Sequence, residues 1–292
     1  MLALLIGCIP IFSYGLFPTI ATMIGGKPNQ QIYGASLGAL LVAVIVTFTF
    51  HIPLPSTTIL LIGTISGIGW AFGQTMGFIG YKMVGSSRAL PLHTGIQLVV
   101  NCLWGVIALG NWPTLRDKLL GFSALIIITI GTYLTIWSKH PKKSSVKTMR
   151  IAILLQILGS LGYWLYSAAP RFINIPGPKV FLAQTIGMVL GSSLYCLFTI
   201  KVDNAFTAKV SYQQIATGIL FGFGILAYFI VAQPNMLGLA TAYVMSQVCV
   251  VVATLTGIFW LHQRKTQTEF IVTMLGLVLI LGAAVLTVLI QK

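Results

Sequence analysis

The stretch that decides the fold is QIYGASLGALL, residues 31–41, because its spacing of glutamine, glycine and leucine occurs twice in the chain. The second copy is QTIGMVLGSSL, residues 184–194, and both copies follow the pattern Q-x-x-G-x-x-L-G-x-x-L. The opening glutamines, Gln31 and Gln184, are 153 positions apart in a chain of 292 residues. A separation of about half the chain indicates two related halves.

Three further matches keep the same order on both sides of the midpoint. Glycines in the pattern G-x-x-x-G-x-G begin at Gly63 and again at Gly218. Gln97 is matched by Gln247, and Tyr14 by Tyr163. The glycine patterns are typical of helices that pack closely in a membrane.

The chain has one clearly polar run, SKHPKKSSVKTMR at residues 138–150, and this run separates the two copies. We therefore predict three parts: a first five-helix repeat at 1–137, a basic cytoplasmic linker at 138–150 and a second five-helix repeat at 151–292.

The composition places the chain in a membrane. It is 57% hydrophobic and 7% charged, with a mean hydropathy of +0.96, whereas soluble domains are about a quarter charged. Because a membrane-crossing helix needs about 20 mostly apolar residues, we predict an all-α integral membrane protein of about ten transmembrane helices. The predicted spans are 2–21, 32–50, 57–79, 87–109, 118–137, 151–168, 180–200, 211–231, 236–261 and 269–290.

The odd number of spans in each half predicts that the halves are inverted relative to one another. Inverted repeats are common in secondary transporters, where the substrate binds near the midplane between the repeats. The chain has no nucleotide-binding pattern G-x-x-x-x-G-K-[ST], so the sequence does not support ATP-driven transport.

The basic residues indicate orientation rather than nucleic-acid binding. The 17 Lys and Arg residues, against three acids, lie almost entirely between apolar runs. One alternating set of loops carries 12 of them and the other set, with the carboxyl terminus, carries 5. Because basic loops stay in the cytoplasm, we predict that both termini face the outside of the cell membrane.

The spans lack the groups that many catalytic and metal sites require. Asp117, Asp203 and Glu269 all lie at or beyond span ends, which argues against an exporter of cationic drugs that uses a buried carboxylate. The four cysteines are scattered singly, with no Cys/His spacing for zinc. We predict no metal, no cofactor and no enzymatic activity, since paired aspartates and H-E-x-x-H are both missing from the spans.

Neutral amides and aromatic rings are the candidate substrate-binding groups. Amides pair with hydroxyl groups and ring faces cover C–H surfaces, which suits a neutral polyhydroxylated solute. Packing between helices and anchoring at the membrane interface are the alternative roles for these residue types. The candidates are Gln74, Gln97, Asn101, Trp70, Tyr14, Tyr163, Trp164 and Gln247.

His93 is the candidate proton-coupling residue. It follows Pro91 near the start of the fourth span. Histidine changes charge near neutral pH, and a proline loosens the helix locally. The alternative is a neutral histidine bonded to a carbonyl group that the proline frees.

Four motifs lie in the first four spans and the first loop: SYGLFPTIA, GGKPNQQIYG, GWAFGQ and LPLHTGIQL. Together they resemble the glucose/ribose uptake family of Gram-positive bacteria, within the drug/metabolite transporter superfamily. The resemblance implies uptake of a monosaccharide, proton coupling, and a central cavity walled mainly by spans 1, 3, 4, 6, 8 and 9. The sequence departs from the family pattern at Asn111, in Gly-Asn-Trp rather than Gly-Glu-Trp, and at Phe78, in place of a glutamine.

The leading hypothesis is therefore a secondary transporter that takes up glucose or ribose by proton-coupled alternating access. An exporter of a metabolite or drug from the same superfamily is the alternative. A structural or receptor role would show no saturable flux. We expect a sugar, protons and the lipid bilayer as partners, no nucleic acid, and a monomer or homodimer.

Overall fold

The computed structural model describes residues 2–84, 86–110, 112–137, 139, 146–173, 175, 177–262 and 265–288. Within these ranges, the side chains of residues 81–82, 84, 86–95, 136, 149, 173, 240 and 287–288 lie outside the description. The described helices are α1 (Leu2–Ile24), α2 (Pro28–Thr49), α3 (Thr57–Val84), α4 (Ser86–Ile107), α5 (Leu115–Ile136), α6 (Val146–Ala168), α7 (Gly177–Thr199), α8 (Lys209–Gln213), α9 (Ile215–Val231), α10 (Gly238–Ser246), α11 (Cys249–Phe259) and α12 (Gln267–Val288).

The all-helical prediction with about ten spans is confirmed. Nine segments of the described chain are long and apolar enough to cross a bilayer, and residues 96–107 of α4 add a shorter apolar stretch. Two segments combine a pair of helices: α8 and α9 form the eighth span, and α10 and α11 the ninth.

The ninth predicted span, 236–261, is present but is interrupted near its middle. α10 ends at Ser246 and α11 begins at Cys249, so Gln247 and Val248 form a turn between them. The amides of Val248, Val250 and Val251 each bond to the carbonyl group three residues earlier, rather than four, at 2.9–3.1 Å. Such tight turns often mark a functional interruption in a helix.

Other predicted boundaries shift by several residues. α3 continues to Val84, past the predicted end at 79, and a short 3-10 helix (Ala169–Ile173) extends α6. α6 begins at Val146, so Lys147 and Arg150 lie in its first turns. Residues 138 and 140–145 of the predicted linker lie outside the described residues.

Two helices start with matching side-chain caps. Thr114 Oγ1 accepts a bond from the Asp117 amide at 3.1 Å, and Asp117 Oδ2 accepts one from the Thr114 amide at 3.2 Å. Thr266 and Glu269 make the same reciprocal bonds before α12, at 3.3 and 2.9 Å. Asp117 and Glu269, two of the three acids that the sequence placed at span ends, thus accept bonds from free amides at helix starts.

Helices from the first half pack mainly on helices from the second, and the pairs are reciprocal. α1 packs on α9 and α11, while α6, the first helix of the second half, packs on α3 and α4. α2 packs on α9, α7 packs on α3, and α5 packs on α12. Two related halves predict such reciprocity; their inverted orientation stays a prediction.

Glycines bring two of these pairs into backbone contact, as the glycine patterns predicted. A side chain at Gly67 would collide with the carbonyl oxygen of Gln184, and one at Gly187 with that of Thr64, where α3 meets α7. A side chain at Gly218 would collide with the Ala35 carbonyl group, where α9 meets α2. We call these contacts, α3–α7 and α2–α9, the glycine seams.

Loops that are predicted to lie on the same side of the membrane contact one another at the helix ends. Lys27, before α2, lies 3.4 Å from Asp203, after α7, and the Lys139 amide donates to Glu269 at 2.9 Å. At the other end, Arg171 donates to the carbonyl oxygen of Ala232 at 2.5 Å. These contacts agree with the predicted alternation of loops; which end faces the cytoplasm stays a prediction.

Candidate functional site

A cavity lies among α1, α3, α4, α6, α9 and α10, near the middle of the helices. About 860 Å³ of space within it is free of protein atoms, a figure that includes its open mouth. Its described lining residues are Tyr14, Phe17, Pro18, Trp70, Gln74, Phe78, Gln97, Tyr163, Tyr166, Ser167, Phe221, Tyr228, Tyr243, Ser246 and Gln247.

One side of the cavity is an aromatic cluster centred on Phe221. Its ring centroid lies 4.9 Å from Phe17, 5.1 Å from Trp70 and 5.2 Å from Tyr14. Phe221 lies between Gly218 and Gly222 on α9, so α9 approaches α2 closely while this ring contacts α1 and α3. The cluster offers ring faces to a solute with an apolar C–H surface.

Two tyrosine–glutamine pairs supply polar groups to the cavity wall. Tyr243, on α10, donates its hydroxyl proton to Oε1 of Gln97, on α4, at 2.9 Å. Tyr163, on α6, donates to Oε1 of Gln74, on α3. Because the phenols occupy the amide oxygens, the amide nitrogens remain as donors.

Gln247 reaches the cavity from the turn that interrupts the ninth span. Among the described residues, its side-chain amide has no hydrogen-bond partner, although its backbone amide bonds to the carbonyl groups of Tyr243 and Val244. Interrupted helices commonly supply binding groups near the midplane of secondary transporters.

The structure brings together six of the eight predicted substrate-binding residues. These are Tyr14, Trp70, Gln74, Gln97, Tyr163 and Gln247. That they bind substrate stays a prediction.

Asn101 and Trp164 do not line the cavity that the structure describes. Asn101 is fully buried and donates to the Gln97 carbonyl oxygen at 2.9 Å, one turn earlier on α4. Trp164 packs edge-on against Trp104, with ring centroids 5.3 Å apart. In this arrangement Asn101 bonds within α4 and Trp164 contacts a ring of α4, and substrate binding by either residue stays a prediction.

His93 lies on α4, but its side chain is outside the described residues, and so is Asn111. The proton-coupling role of His93 stays a prediction. Phe78, the other departure from the family pattern, lines the cavity and adds an apolar surface where an amide was expected.

Sequence reasoning did not select Phe221, Tyr228 and Tyr243 as site residues. Phenylalanine and tyrosine are frequent in membrane helices, so their presence alone carries little signal. Two of these positions do carry a signal in the sequence: Phe221 is flanked by repeated glycines, and Tyr243 lies one helical turn before Gln247.

The described residues that line the cavity include no Lys, Arg, Asp or Glu, and Arg171 lies beyond them, close to Tyr228. Lys265, before α12, donates to the carbonyl oxygen of Thr135 at 2.6 Å and to Thr273 Oγ1 at 2.5 Å. Burial lowers the pKa of Lys265 below its usual value, and the nearby Glu269 carboxylate opposes that shift. Among the described residues, no group of three His, Cys, Asp or Glu side chains could hold a metal ion.

A bundle of membrane-crossing helices around a midplane cavity defines a multi-pass membrane protein. The family model described as sugar transport protein matches residues 5–290. The chain therefore belongs to the sugar transport protein family, and it is a sugar transporter of the cell membrane rather than an enzyme.

Relatives agree with this assignment, and a solved structure shares the fold. A protein of Staphylococcus epidermidis called "Putative ribose uptake protein RbsU" is 50% identical over 290 residues, which cover 99% of both chains. A protein of Staphylococcus aureus with the same name is 48% identical over 100% of this chain and 99% of its own. A crystal structure with 16% identity, covering 98% of both chains, has a TM-score of 0.75, which shows the fold alone.

Proposed function

We propose that this protein takes up a monosaccharide, with ribose the favoured substrate and glucose the second candidate. The observation that carries the proposal is the cavity wall, which combines amides at Gln74, Gln97 and Gln247 with an aromatic cluster around Phe221. Amides bond to hydroxyl groups, and ring faces cover the apolar C–H side of a sugar. Ribose comes first because the relatives at 48–50% identity carry that substrate in their names.

Neutral lining supports an uncharged substrate. A charged sugar phosphate would need a balancing cation within the cavity, because an unpaired charge is strongly disfavoured away from water. The described lining supplies amides, hydroxyl groups and rings, with no lysine or arginine among them. The site therefore suits the free sugar rather than its phosphate.

Alternating access is the mechanism that we propose, with each face of the membrane reaching the cavity in turn. Support comes from the reciprocal packing of the halves around the cavity, since rocking of one half against the other is how repeat-built transporters work. Coupling to protons through His93 is the finer part of the proposal, because histidine titrates near neutral pH.

Uptake of labelled ribose and labelled glucose tests the proposal, in cells that lack their own carriers for both sugars. Saturable uptake above vector-only cells, competed by unlabelled ribose and not by ribose 5-phosphate, is the expected result. A protonophore should reduce this uptake. If the protonophore has no effect, proton coupling is wrong and facilitated transport is the mechanism. If neither sugar enters cells that hold the protein in the membrane, uptake of these sugars is wrong.

A further inference from the structure

We propose that Tyr163 and Tyr243 are positioning residues, which hold the amides of Gln74 and Gln97 so that their N–H groups face the bound sugar. The site would then recognise sugar hydroxyl oxygens as acceptors at two places. The inference rests on the proposed function, because it says how the same cavity selects its substrate.

The two pairs have the same chemistry and both lie in the cavity wall. Each consists of a tyrosine hydroxyl donating to a glutamine Oε1, and all four residues line the cavity. Tyr243 and Gln97 are 7% and 8% exposed, so little water competes for the bond between them. A buried hydrogen bond of 2.9 Å has an ordinary length and holds its partners firmly.

An unrestrained glutamine amide offers either its oxygen or its nitrogen to a ligand, because the end group can turn about its last bond. A phenol that donates to the oxygen removes this freedom and leaves the two N–H donors pointing elsewhere. Neither amide nitrogen, of Gln74 or of Gln97, has an acceptor among the described residues. Donors in a cavity wall without a protein acceptor call for acceptors on the ligand, which the hydroxyl oxygens of a sugar supply.

Each pair also joins the two predicted halves. Tyr163 and Tyr243 belong to α6 and α10 in the second half, while Gln74 and Gln97 belong to α3 and α4 in the first. The orientation of both amides therefore depends on how the halves are arranged. A movement that separated a tyrosine from its glutamine would release the amide and weaken the hold on the sugar.

A double-mutant cycle on the Tyr243–Gln97 pair tests the proposal. Binding of ribose to the purified full-length protein in detergent is followed by calorimetry for wild type, Tyr243→Phe, Gln97→Ala and the double variant. Tyr243→Phe should weaken ribose binding roughly fivefold, the effect of about one hydrogen bond. The double variant should bind no more weakly than Gln97→Ala alone, because Tyr243 acts through Gln97.

Binding of deoxysugars distinguishes a positioning role from a merely structural one, because a structural role would not change the preference for ribose over a deoxysugar. If an amide donor meets a sugar hydroxyl, wild type should bind one of 2-deoxyribose, 3-deoxyribose or 5-deoxyribose several-fold more weakly than ribose. Tyr243→Phe should reduce that discrimination. Tyr133→Phe, on the 62% exposed tyrosine of α5, is the matched control and should bind like wild type.

The outcomes separate this proposal from the proposed function. If wild type binds ribose and Tyr243→Phe binds it equally well, the positioning role is wrong while the proposed function stands. Penalties that add in the double variant overturn it too, since Tyr243 would then contact the sugar itself. If wild type binds neither ribose nor glucose, the proposed function fails, and the positioning role fails with it. Thermal unfolding of each variant shows whether lost binding comes from a lost fold.

Discussion

The α3–α7 glycine seam and the central cavity lie on the same helix, and they differ in what stands between neighbouring backbones. At Gly67, α3 approaches α7 so closely that a single methyl group would meet the Gln184 carbonyl oxygen. Seven residues later, or about two turns along, Gln74 extends a long side chain into open space. One helix therefore changes from closed contact to cavity wall within two turns.

Side-chain size along α3 therefore decides where the molecule is closely packed and where it is open. A seam of backbone against backbone cannot absorb added volume, because carbonyl oxygens and helix axes do not move independently. A cavity wall can absorb a change in side chain, because one side faces space rather than protein. We therefore expect seam variants to lose stability and cavity variants to lose sugar binding.

The largest effect should come from adding a methyl group within the seam. Gly67→Ala should lower the free energy of unfolding by about 1–3 kcal/mol, because overpacking forces two backbones apart. Gly282→Ala is the matched control: nothing lies within 4 Å of its added carbon, and alanine favours a helix by up to ~1 kcal/mol. Thermal unfolding in detergent measures both; equal effects of the two changes would contradict the account of the seam.

An intermediate effect, on function rather than stability, should come from the cavity wall. Gln247→Ala removes an amide that bonds to no side chain among the described residues, so unfolding should hardly change. Sugar binding should weaken roughly fivefold through the loss of about one hydrogen bond. Gln213→Ala, at an exposed position of α8, is the control, and calorimetry measures sugar binding by both variants. If Gln247→Ala loses stability and keeps its sugar binding, the expected difference between cavity and seam residues is wrong.

The smallest effect should come from the helix ends, where an exposed ion pair joins α2 to the segment after α7. Lys27 is 56% exposed and Asp203 18%, with 3.4 Å between Nζ and Oδ1. Exposed pairs contribute ~0–1 kcal/mol, and salt screens them. Lys27→Met should lower the unfolding temperature slightly at low salt and less at high salt. Lys147→Met, on an exposed lysine of α6, should show no such salt dependence if the ion pair is the cause.

Much of the site was predictable because its polar residues are conspicuous in an apolar chain. Glutamine is costly in a bilayer, so Gln74, Gln97 and Gln247 stood out, and all three line one cavity. Asn101 stood out for the same reason, but it is fully buried outside the cavity lining and bonds to the Gln97 carbonyl group, because neighbouring helices decide which side of α4 faces the cavity. Phe221 gave the opposite error: the sequence does not mark an apolar ring as part of a site, and its role depends on α9 packing against α1 with the ring in contact with Trp70 of α3.

The sequence alone was enough to establish that the protein lies in lipid, how many spans it has and where its helices pack closely. Hydropathy requires a lipid environment, and runs of glycine permit backbones to touch, whatever the partners are. Only the tertiary structure decided which helices meet, that the ninth span breaks at Gln247, and that each tyrosine of the two pairs reaches a glutamine in the other half. Those features depend on distances between residues far apart in the chain, for example 146 positions between Gln97 and Tyr243. Local propensity does not contain such distances; packing of all the helices at once does.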